Sequence, residues 1–342
     1  MKRFDYEKVY DFQNLYAAYL ASRRCKRGTR EVVEFELDAG INLIRLQEEL
    51  RTGVYRISDY YHFTIYDPKV REIYALHYRD RIVQHSLCDN LLAPYFETHL
   101  IYDNSACRKG KGTHFAMNRL NRFLHEHFRS HERNGWFLKC DIRKFFDSID
   151  HAILKGRLVG IVDDEQTLRF LYQIIDSYEV SPGKGIPMGN QTSQWFALYY
   201  LDPLDRLVKE KLRIRHYTRY MDDMILISSS KETLRNARRE MEKLLEELKL
   251  EFNAKTQIFQ VRAGVEYLGW RFYLSESGAV IRRLKKQSKR RWKRRLKKLE
   301  HEHLAGRIED RQLAQVLQSY DNHLRFGNTW QMRKQQRQKA SF

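Results

Sequence analysis

The sequence predicts an α+β fold, in which an antiparallel sheet carries acidic residues at its strand ends, packs on helices and is followed by a basic helical region. Three observations predict this class. Short apolar runs flank the adjacent acids Asp222 and Asp223, another apolar run ends at Asp141, and two segments repeat apolar residues at helical spacing. Acid-bearing strands packed on two helices form an α+β layer arrangement.

The segment 219–227 predicts a tight β-hairpin with Asp222 and Asp223 at its tip, because two adjacent carboxylates stand between short apolar runs. The segment 136–146 predicts a short buried strand that delivers Asp141 at its end, followed by a turn toward a helix. Taken alone, an acid after an apolar strand is more often a solvated turn residue or a helix cap. The two motifs therefore gain meaning only together.

Three carboxylates at neighbouring strand ends suit divalent cations, because hard ions such as Mg²⁺ prefer oxygen ligands. Two such ions ~3.5–4 Å apart stabilise both the attacking and the leaving oxygen of an in-line displacement. A hairpin tip can present Asp222 while Asp223 supports it or holds the second ion, and Asp141 supplies the third carboxylate. The pattern predicts a site for joining nucleotides.

The remaining elements are predicted from periodicity. Further strands are expected at 63–66 and over 266–273. Ser229 and Glu232 predict a capping box at the start of a helix. Two apolar helical faces are expected to brace the hairpin, with Pro203 kinking or ending the first of them. These faces comprise Trp195, Leu198, Leu201, Leu204 and Val208, and then Leu234, Met241, Leu244, Leu245 and Leu248.

These motifs, in this order, resemble those of a reverse transcriptase from about Arg30 to about Tyr273. Asp141 stands at the first palm aspartate, Tyr-Met-Asp-Asp at 220–223 is similar to the YxDD box, and 185–194 is similar to the nucleotide-pocket motif. The resemblance implies a right-hand polymerase with fingers, an antiparallel palm sheet and a helical, basic thumb. It also implies RNA-directed DNA synthesis with Asp141, Asp222 and Asp223 as metal ligands.

The expected organisation places an N-terminal segment at 1–30 and fingers at 31–136, with 153–187 shared between fingers and palm. The palm is expected at 137–152 and 188–275, and the thumb at 276–342. The resemblance implies two Mg²⁺ ions per site, with Mn²⁺ as an alternative. It further implies dNTPs, a structured template RNA with its RNA/DNA duplex, and a small basic oligomeric accessory protein.

The pocket motif is similar to one branch of the family. Met188-Gly189 and Ser193-Gln194 stand where most retroviral and group II intron enzymes have Gln-Gly and Ser-Pro. This form resembles the reverse transcriptases of diversity-generating retroelements, as do the segments 78–88 and 105–114, which implies error-prone copying of template adenines. A bacterial anti-phage defence reverse transcriptase is the alternative, because it shares much of this core. A non-catalytic RNA-binding scaffold is the third hypothesis.

Several residues are expected in the nucleotide pocket. The resemblance places Phe146 against the sugar, where its ring would clash with a 2′-hydroxyl, although Phe145 and Phe146 can both be core aromatics. Met188 replaces a polar Gln and so offers fewer hydrogen bonds to fix the incoming base, or else simply fills space. The predicted substrate-binding set is Lys69, Arg71, Arg108, Phe145, Phe146, Met188, Gly189 and Gln194.

Lys69, Arg71 and Arg108 are predicted to bind the triphosphate, because Arg offers phosphate a planar fork and Lys a point charge. Lys255 falls where polymerases often hold a lysine near the pyrophosphate leaving group, so it is a candidate general acid. An ordinary surface lysine is the open alternative for each of these positions.

Nucleic-acid contacts are predicted beyond the pocket. Tyr267-Leu268-Gly269-Trp270 resembles the primer grip, while a core strand is compatible with the same pattern. A basic run from Arg282 to Lys298 keeps Trp292, Leu296 and Leu299 on one helical face, which predicts a thumb helix that contacts phosphates. The predicted nucleic-acid-binding set is Tyr220, Tyr267, Leu268, Gly269, Trp270, Lys289, Arg290, Lys293 and Arg294.

Composition agrees with a polyanionic partner, because the formal net charge is +19 in 342 residues. The four cysteines are widely spaced, without a CxxC pair, which indicates reduced thiols and a cytoplasmic location rather than a zinc site. No window approaches ~20 consecutive apolar residues, so membrane insertion is not expected.

Overall fold

The computed structural model describes residues 3–66 and 70–339, with side chains described as far as residue 335. The first part of this chain is helical except for one hairpin, in which β1 (Tyr61–Ile65) pairs with β2 (Arg71–Ala75). The strand predicted at 63–66 is thus confirmed, although it begins earlier. The helices are α1 (Glu7–Tyr10), α2 (Phe12–Ser22), α3 (Arg30–Leu37), α4 (Ala39–Arg51), α5 (Tyr78–Leu87), α6 (Ala93–His99) and α7 (Thr113–His131).

The middle of the chain contains the acid-bearing sheet and the helices that support it. Its strands are β3 (Trp136–Cys140), β4 (His216–Tyr220), β5 (Asp223–Ser228) and β6 (Gln257–Gln260). Its helices are α8 (Phe145–Ser148), α9 (His151–Val159), α10 (Glu165–Asp176), α11 (Gln191–Tyr200), α12 (Asp202–Arg206) and α13 (Lys231–Glu247). The strands are antiparallel and lie in the order β4-β5-β3-β6.

Alternation along these strands directs side chains into two separate cores. One face of the sheet joins the larger core, which α11 and α13 complete with residues such as Leu198, Leu234 and Met241. Leu138, Cys140, Met224 and Leu226 lie on that face. Phe137, Ile225 and Ile227 face a smaller core beside α7. The predicted α+β class, with an antiparallel sheet braced by two apolar helix faces, is confirmed.

The two helix predictions differ in accuracy. Helix α11 ends at Tyr200 and α12 has Pro203 in its first turn, which confirms the predicted break. The capping box predicted for Ser229 is wrong by one residue. Ser230 is the N-cap of α13, because its extended backbone directs the hydroxyl to accept from the Thr233 amide at 3.2 Å.

The single strand predicted over 266–273 is wrong. The structure forms a hairpin there instead, from β7 (Val265–Tyr267) and β8 (Trp270–Leu274). Leu268 and Gly269 make the two-residue turn with φ of +47° and +87°. Two consecutive left-handed residues give the turn type that matches the twist of antiparallel strands, and glycine reaches this region without strain. Strand β9 (Val280–Leu284) then pairs with β8 to complete a three-stranded sheet.

The basic C-terminal region is helical as predicted, with α14 (Lys286–Leu304), α15 (Asp310–Leu324) and α16 (Trp330–Lys339). Trp292 of α14 is buried and stacks on Tyr320 of α15, with ring centroids 3.5 Å apart. After α15 the chain returns to the sheet, where Asn328 exchanges two hydrogen bonds of 2.8 Å with the backbone of Arg282. Gly327 packs so closely on the Trp270 ring that an added Cβ would lie 2.0 Å from it.

The lobe boundaries predicted from the sequence stay predictions. The expected limit between palm and thumb at residue 276 falls between β8 and β9, which are paired strands. The three-stranded sheet therefore carries α14 directly on its last strand. Among the described residues, no helix is both long and apolar enough to cross a membrane.

Candidate active site

The hairpin predicted around Asp222 and Asp223 is present. Register pairs Tyr220 with Asp223, so Met221 and Asp222 form a two-residue turn between β4 and β5. Met221 adopts a left-handed backbone with φ of +54°, which is uncommon for a residue other than glycine. The turn therefore holds Asp222 at its tip and starts β5 with Asp223.

Asp141 lies beside this turn because β3 pairs with β5. The register matches Cys140 with Met224, and one further residue along each strand brings Asp141 opposite Asp223. The loop after α13 fixes the backbone of Asp141, since the Asn253 amide donates to its carbonyl at 2.7 Å. The Asp141 amide in turn donates to the Thr256 hydroxyl at 3.3 Å. Asp141 thus meets the adjacent pair Asp222 and Asp223, which is distant in sequence, at one end of the sheet.

The environment of the acid pair opposes ionisation. Burial is the larger cause and the nearby negative charge of Asp141 the next; together they raise the pKa of Asp222 to about 6. Burial likewise raises the pKa of Asp223 to about 6, with an opposing contribution from the Lys139 ammonium. Desolvation and like charges both disfavour the carboxylate form. A bound cation would relieve both effects.

The donor chemistry fits a divalent ion. The Oδ1 atom of Asp223 is buried and accepts no hydrogen bond from the described residues, although Nζ of Lys139 lies 3.5 Å away. A carboxylate oxygen with no hydrogen donor is one that a hard cation can use. Among the described residues, no three His, Cys, Asp or Glu side chains already stand in a metal-binding arrangement. The metal-ligand roles of Asp141, Asp222 and Asp223 accordingly stay predictions.

Replacing Asp223 by asparagine is expected to stabilise the metal-free protein at pH 8 by about 1 to 2 kcal/mol. The raised pKa means that the folded state binds more protons than the unfolded state between about pH 4 and pH 6. Stability therefore falls as pH rises through this window and stays lower above it, a penalty that Asn lacks. Lys139 keeps a partner because it also donates to the Glu266 carbonyl at 2.6 Å.

Thermal unfolding in a chelator at pH 4 and pH 8 measures this effect. The exposed acid Asp59, on the loop before β1, gives a matched control in Asp59→Asn, which should leave the difference between the two pH values unchanged. A less stable Asp223→Asn protein at pH 8 would contradict the electrostatic account.

The segment that carries the pocket motif lies against the residues after Asp141. The Ile186 amide donates to the Phe146 carbonyl at 3.0 Å. Phe145 is buried in the larger core, whereas Phe146 is half-buried and meets it edge-on at 5.6 Å. Met188 and Gln194 are half-buried, and Gly189 is exposed with φ of +109°. Phe146 is therefore the one of the two phenylalanines that keeps an accessible face.

The three residues predicted to bind the triphosphate lie in different environments. Arg108 is a structural residue and the prediction for it is wrong, because its guanidinium donates to the Glu97 carboxylate and to three backbone carbonyls. Only 8% of Arg108 is exposed, and four of its five N–H donors are used within the protein, so its side chain is not available to hold a triphosphate. Arg71 is exposed at the start of β2. Lys69 lies outside the described residues.

Lys255 is exposed on the loop that holds the backbone of Asp141. The Lys255 amide donates to the Asn253 side chain at 3.1 Å, and the Asn253 amide in turn donates to the Asp141 carbonyl. The backbone of this candidate general acid is thus anchored next to Asp141, and its side chain is exposed. Its role stays a prediction.

The predicted primer-grip segment has two kinds of residue. Tyr267 and Trp270 are fully buried in the smaller core, so their rings are closed to a primer and the predicted contact through these side chains is wrong. Leu268 and Gly269 at the turn are half-exposed and line a cleft of ≈ 1210 Å³ with residues of α14 and α15. Backbone and turn residues are therefore what this segment offers to a ligand.

The predicted thumb cations face outward. Lys289, Arg290, Lys293 and Arg294 are all exposed on α14, and Arg294 lines the cleft. Tyr220 is half-buried between the two cores, next to the acid-bearing turn. The cleft thus runs from a turn of the three-stranded sheet to a basic helix, as a phosphate-binding surface requires.

Sequence reasoning assigned no role to Arg219, although it is among the largest fully buried side chains. It forms an ion pair with Asp205 and binds the carbonyl before Asp222. A signal was available, because a charged residue two positions after Tyr217 in the same strand shares its buried face. Thr256, which contacts the backbone of Asp141, was also missed.

An antiparallel sheet with three acids at one end, a loop-borne pocket segment and a basic helical region define a nucleotidyltransferase of the polymerase type. The chain matches the family described as reverse transcriptase (RNA-dependent DNA polymerase) over residues 67–272, more than half of its length. It belongs to that family, whose members generally use divalent metal ions.

Two individual relatives are similar to this chain at low sequence identity. Protein YkfC of Escherichia coli is 24% identical over 239 residues, which cover 58% of this chain and 62% of the relative. The putative COX1/OXI3 intron 2 protein of Saccharomyces cerevisiae is 26% identical over 187 residues, which cover 50% of this chain and 21% of the relative. The chain spans less than two thirds of either relative.

A solved telomerase has a similar fold. The structure from Candida tropicalis, in complex with a TWJ fragment of telomeric RNA, aligns with a TM-score of 0.51. The identity is 15%, and the alignment covers 68% of this chain and 45% of the telomerase. At this identity the likeness concerns the fold alone, and it agrees with the polymerase architecture predicted from the sequence.

Proposed function

We propose that this chain copies a structured RNA template into cDNA for a diversity-generating retroelement, with errors concentrated at template adenines. Asp141, Asp222 and Asp223 hold two Mg²⁺ ions, and Lys255 protonates the leaving pyrophosphate. The observation that carries the proposal is the convergence of the three acids with the pocket segment 185–189, which hydrogen bonds to Phe146.

The retroelement assignment depends on the pocket motif. Met188 is half-buried and follows the segment bonded to Phe146, so it can contact an incoming nucleotide. A thioether is a weak acceptor on a flexible stem, and it fixes a base less strictly than an amide does. The residue that replaces Gln in the motif is thus a source of low fidelity.

The thumb contributes affinity rather than sequence recognition. Lys289, Arg290 and Lys293 are exposed cations on one helix, and such residues contact phosphates of a duplex. Each neutralised phosphate releases counterions, so binding of an RNA/DNA duplex weakens steeply as salt rises. The telomerase of similar fold was solved with a telomeric RNA fragment, which supports an RNA ligand for this architecture.

A small basic accessory protein has a suitable surface on α3 and α4. Val33, Leu37, Ile41 and Ile44 are exposed there, with Leu37 exposed by 77%. The segment 30–51 contains six Asp or Glu against three Arg, whereas the whole chain carries a formal net charge of +19. Five of these acids already pair with Arg or His side chains, so the exposed apolar residues are the part of this surface that suits a partner.

Replacing Met188 by glutamine is expected to lower misincorporation at template adenines by about fivefold, because one added hydrogen bond to the base or its surroundings is worth about 1 kcal/mol. The assay extends a primer on an RNA template with dNTPs and Mg²⁺, and the cDNA is sequenced. Met188→Leu is the matched control, since it keeps an apolar side chain and should keep the wild-type error spectrum.

The outcomes separate the alternatives. An unchanged error spectrum in Met188→Gln would contradict the role of Met188. Wild-type errors spread evenly over all template bases would favour the defence-associated enzyme instead. Absence of incorporation with every template, including RNA that co-purifies with the protein, would favour the scaffold.

A further inference from the structure

Arg219 lies in β4, three residues before Asp222, and its side chain is fully buried. Its Nε donates to Oδ1 of Asp205 at 2.8 Å and its Nη2 to Oδ2 at 2.5 Å, so the pair is bidentate. The Tyr217 hydroxyl also donates to Oδ1 of Asp205, at 2.6 Å. Both partners of this ion pair have no exposed side-chain area.

A buried ion pair of this kind needs an explanation beyond stability. Removing two charges from water is costly, and well-packed apolar residues often serve stability equally well. The guanidinium differs from an apolar side chain in having five donors in a rigid plane. Two further donations of Arg219 go to backbone carbonyls, of Leu198 at 3.1 Å and of Met221 at 2.9 Å.

The Met221 carbonyl belongs to the peptide group that joins Met221 to Asp222. Because a peptide group is planar, fixing this oxygen fixes the plane from which the Asp222 backbone continues. Met221 has φ of +54°, a conformation that L-residues other than glycine adopt at a cost and that surrounding contacts must hold. Arg219 supplies such a contact from inside the core.

The backbone of Arg219 is held as well. Its amide donates to the Asp103 carbonyl at 3.1 Å, and its carbonyl accepts from the Ser105 amide at 3.0 Å. The side chain is therefore anchored by its own strand, by the segment 103–105 and by Asp205 of α12. Because these contacts fix the Arg219 guanidinium, its hydrogen bond to the Met221 carbonyl can set the position of the β4–β5 turn.

We propose that Arg219 is a positioning residue for the polymerase site, which holds the Asp222 turn in its reactive conformation through the Met221 carbonyl. Asp205 and Tyr217 orient the guanidinium for this contact. The inference rests on the proposed roles of Asp141, Asp222 and Asp223 as metal ligands. A merely structural Arg219 would stabilise the fold and leave the rate of the folded enzyme unchanged.

Arg219→Lys keeps a cation for Asp205 but loses the planar fork that reaches Met221. Arg206→Lys is the matched control, because Arg206 pairs with Asp202 on the same helix and also donates to a carbonyl, that of His99 at 2.9 Å. Each variant is measured by thermal unfolding, by its affinity for a primed RNA template and by the rate of single-nucleotide incorporation across a Mg²⁺ series.

Arg219→Lys is expected to lower the incorporation rate about 100-fold, as a misplaced reactive group does, with unchanged primer-template affinity and a higher Mg²⁺ requirement. Arg206→Lys is expected to incorporate like wild type at a temperature where both variants are folded. Equal rates for the two folded variants would overturn the proposal. An inactive wild type would instead count against the proposed function.

Tyr217→Phe keeps the proposal falsifiable if Arg219→Lys does not fold. It removes one donor to Asp205 and leaves the guanidinium in place. The expected result is a rate about fivefold below wild type, the effect of one hydrogen bond. A wild-type rate and Mg²⁺ dependence in Tyr217→Phe, with Arg219→Lys unfolded, would overturn the positioning role.

Discussion

Replacing Asp222 and Asp223 together by alanine is expected to lower dNTP incorporation on a primed RNA template by at least about 1000-fold. Asp222 lies at the tip of the β4–β5 turn and Asp223 begins β5 opposite Asp141, and burial raises the pKa of both acids to about 6. Cations that would stabilise the attacking and leaving oxygens would lose two of their three proposed ligands. The measurement is single-turnover extension in Mg²⁺.

This variant should not lose activity by unfolding. Removing two half-buried acids with raised pKa values relieves an electrostatic penalty at neutral pH, so the melting temperature of this variant in a chelator is expected to equal or exceed that of wild type. Glu246 and Glu247, an adjacent exposed pair at the end of α13, provide the control double substitution to alanine. Wild-type incorporation by the Asp222/Asp223 variant would exclude a catalytic role for the turn.

Replacing Phe146 by alanine is expected to reduce discrimination between dNTPs and rNTPs by about 100-fold, the range that pocket sterics provide. Phe146 is half-buried, and its carbonyl accepts from Ile186 of the pocket segment. A ring at this position is expected to exclude a 2′-hydroxyl by contact, and alanine would remove that contact. The ratio of dNTP to rNTP incorporation efficiencies measures the effect.

Phe145→Ala is the matched control for this prediction. Phe145 is 3% exposed in the larger core, so its truncation is expected to cost about 3 to 5 kcal/mol of stability. The folded fraction should nevertheless keep the wild-type sugar preference. If Phe146→Ala also keeps that preference, Phe146 is a packing residue and the predicted steric gate is wrong.

The sequence located the acids well because their signals are local. Apolar runs around Asp222 and Asp223 specify paired strands by themselves, and a strand ending at Asp141 brings its acid to a sheet end in any antiparallel arrangement. Periodic stripes likewise predicted the faces of α11 and α13 that support the sheet. The one-residue error at Ser230 reflects a cap set by backbone direction rather than by residue type.

Predictions for single cations and aromatics were less successful, because burial depends on distant partners. Arg108 fits a phosphate ligand by type, yet the Glu97 carboxylate and three backbone carbonyls accept from four of its five N–H donors. Trp270 fits a primer contact, yet Gly327 from the far end of the chain packs on its ring. No local sequence pattern predicts the contacts of Arg108 with Glu97 or of Trp270 with Gly327.

The sequence by itself determined the chemistry of this protein, namely which acids exist, which strands deliver them and which motif accompanies them, since these follow from residue type and short-range periodicity. Tertiary structure alone decided which charges face inward and which face a ligand. Arg219 reaches Asp205 and the Met221 carbonyl only after β4 and α12 pack together. That packing brings the guanidinium of a strand residue to the backbone of the acid-bearing turn.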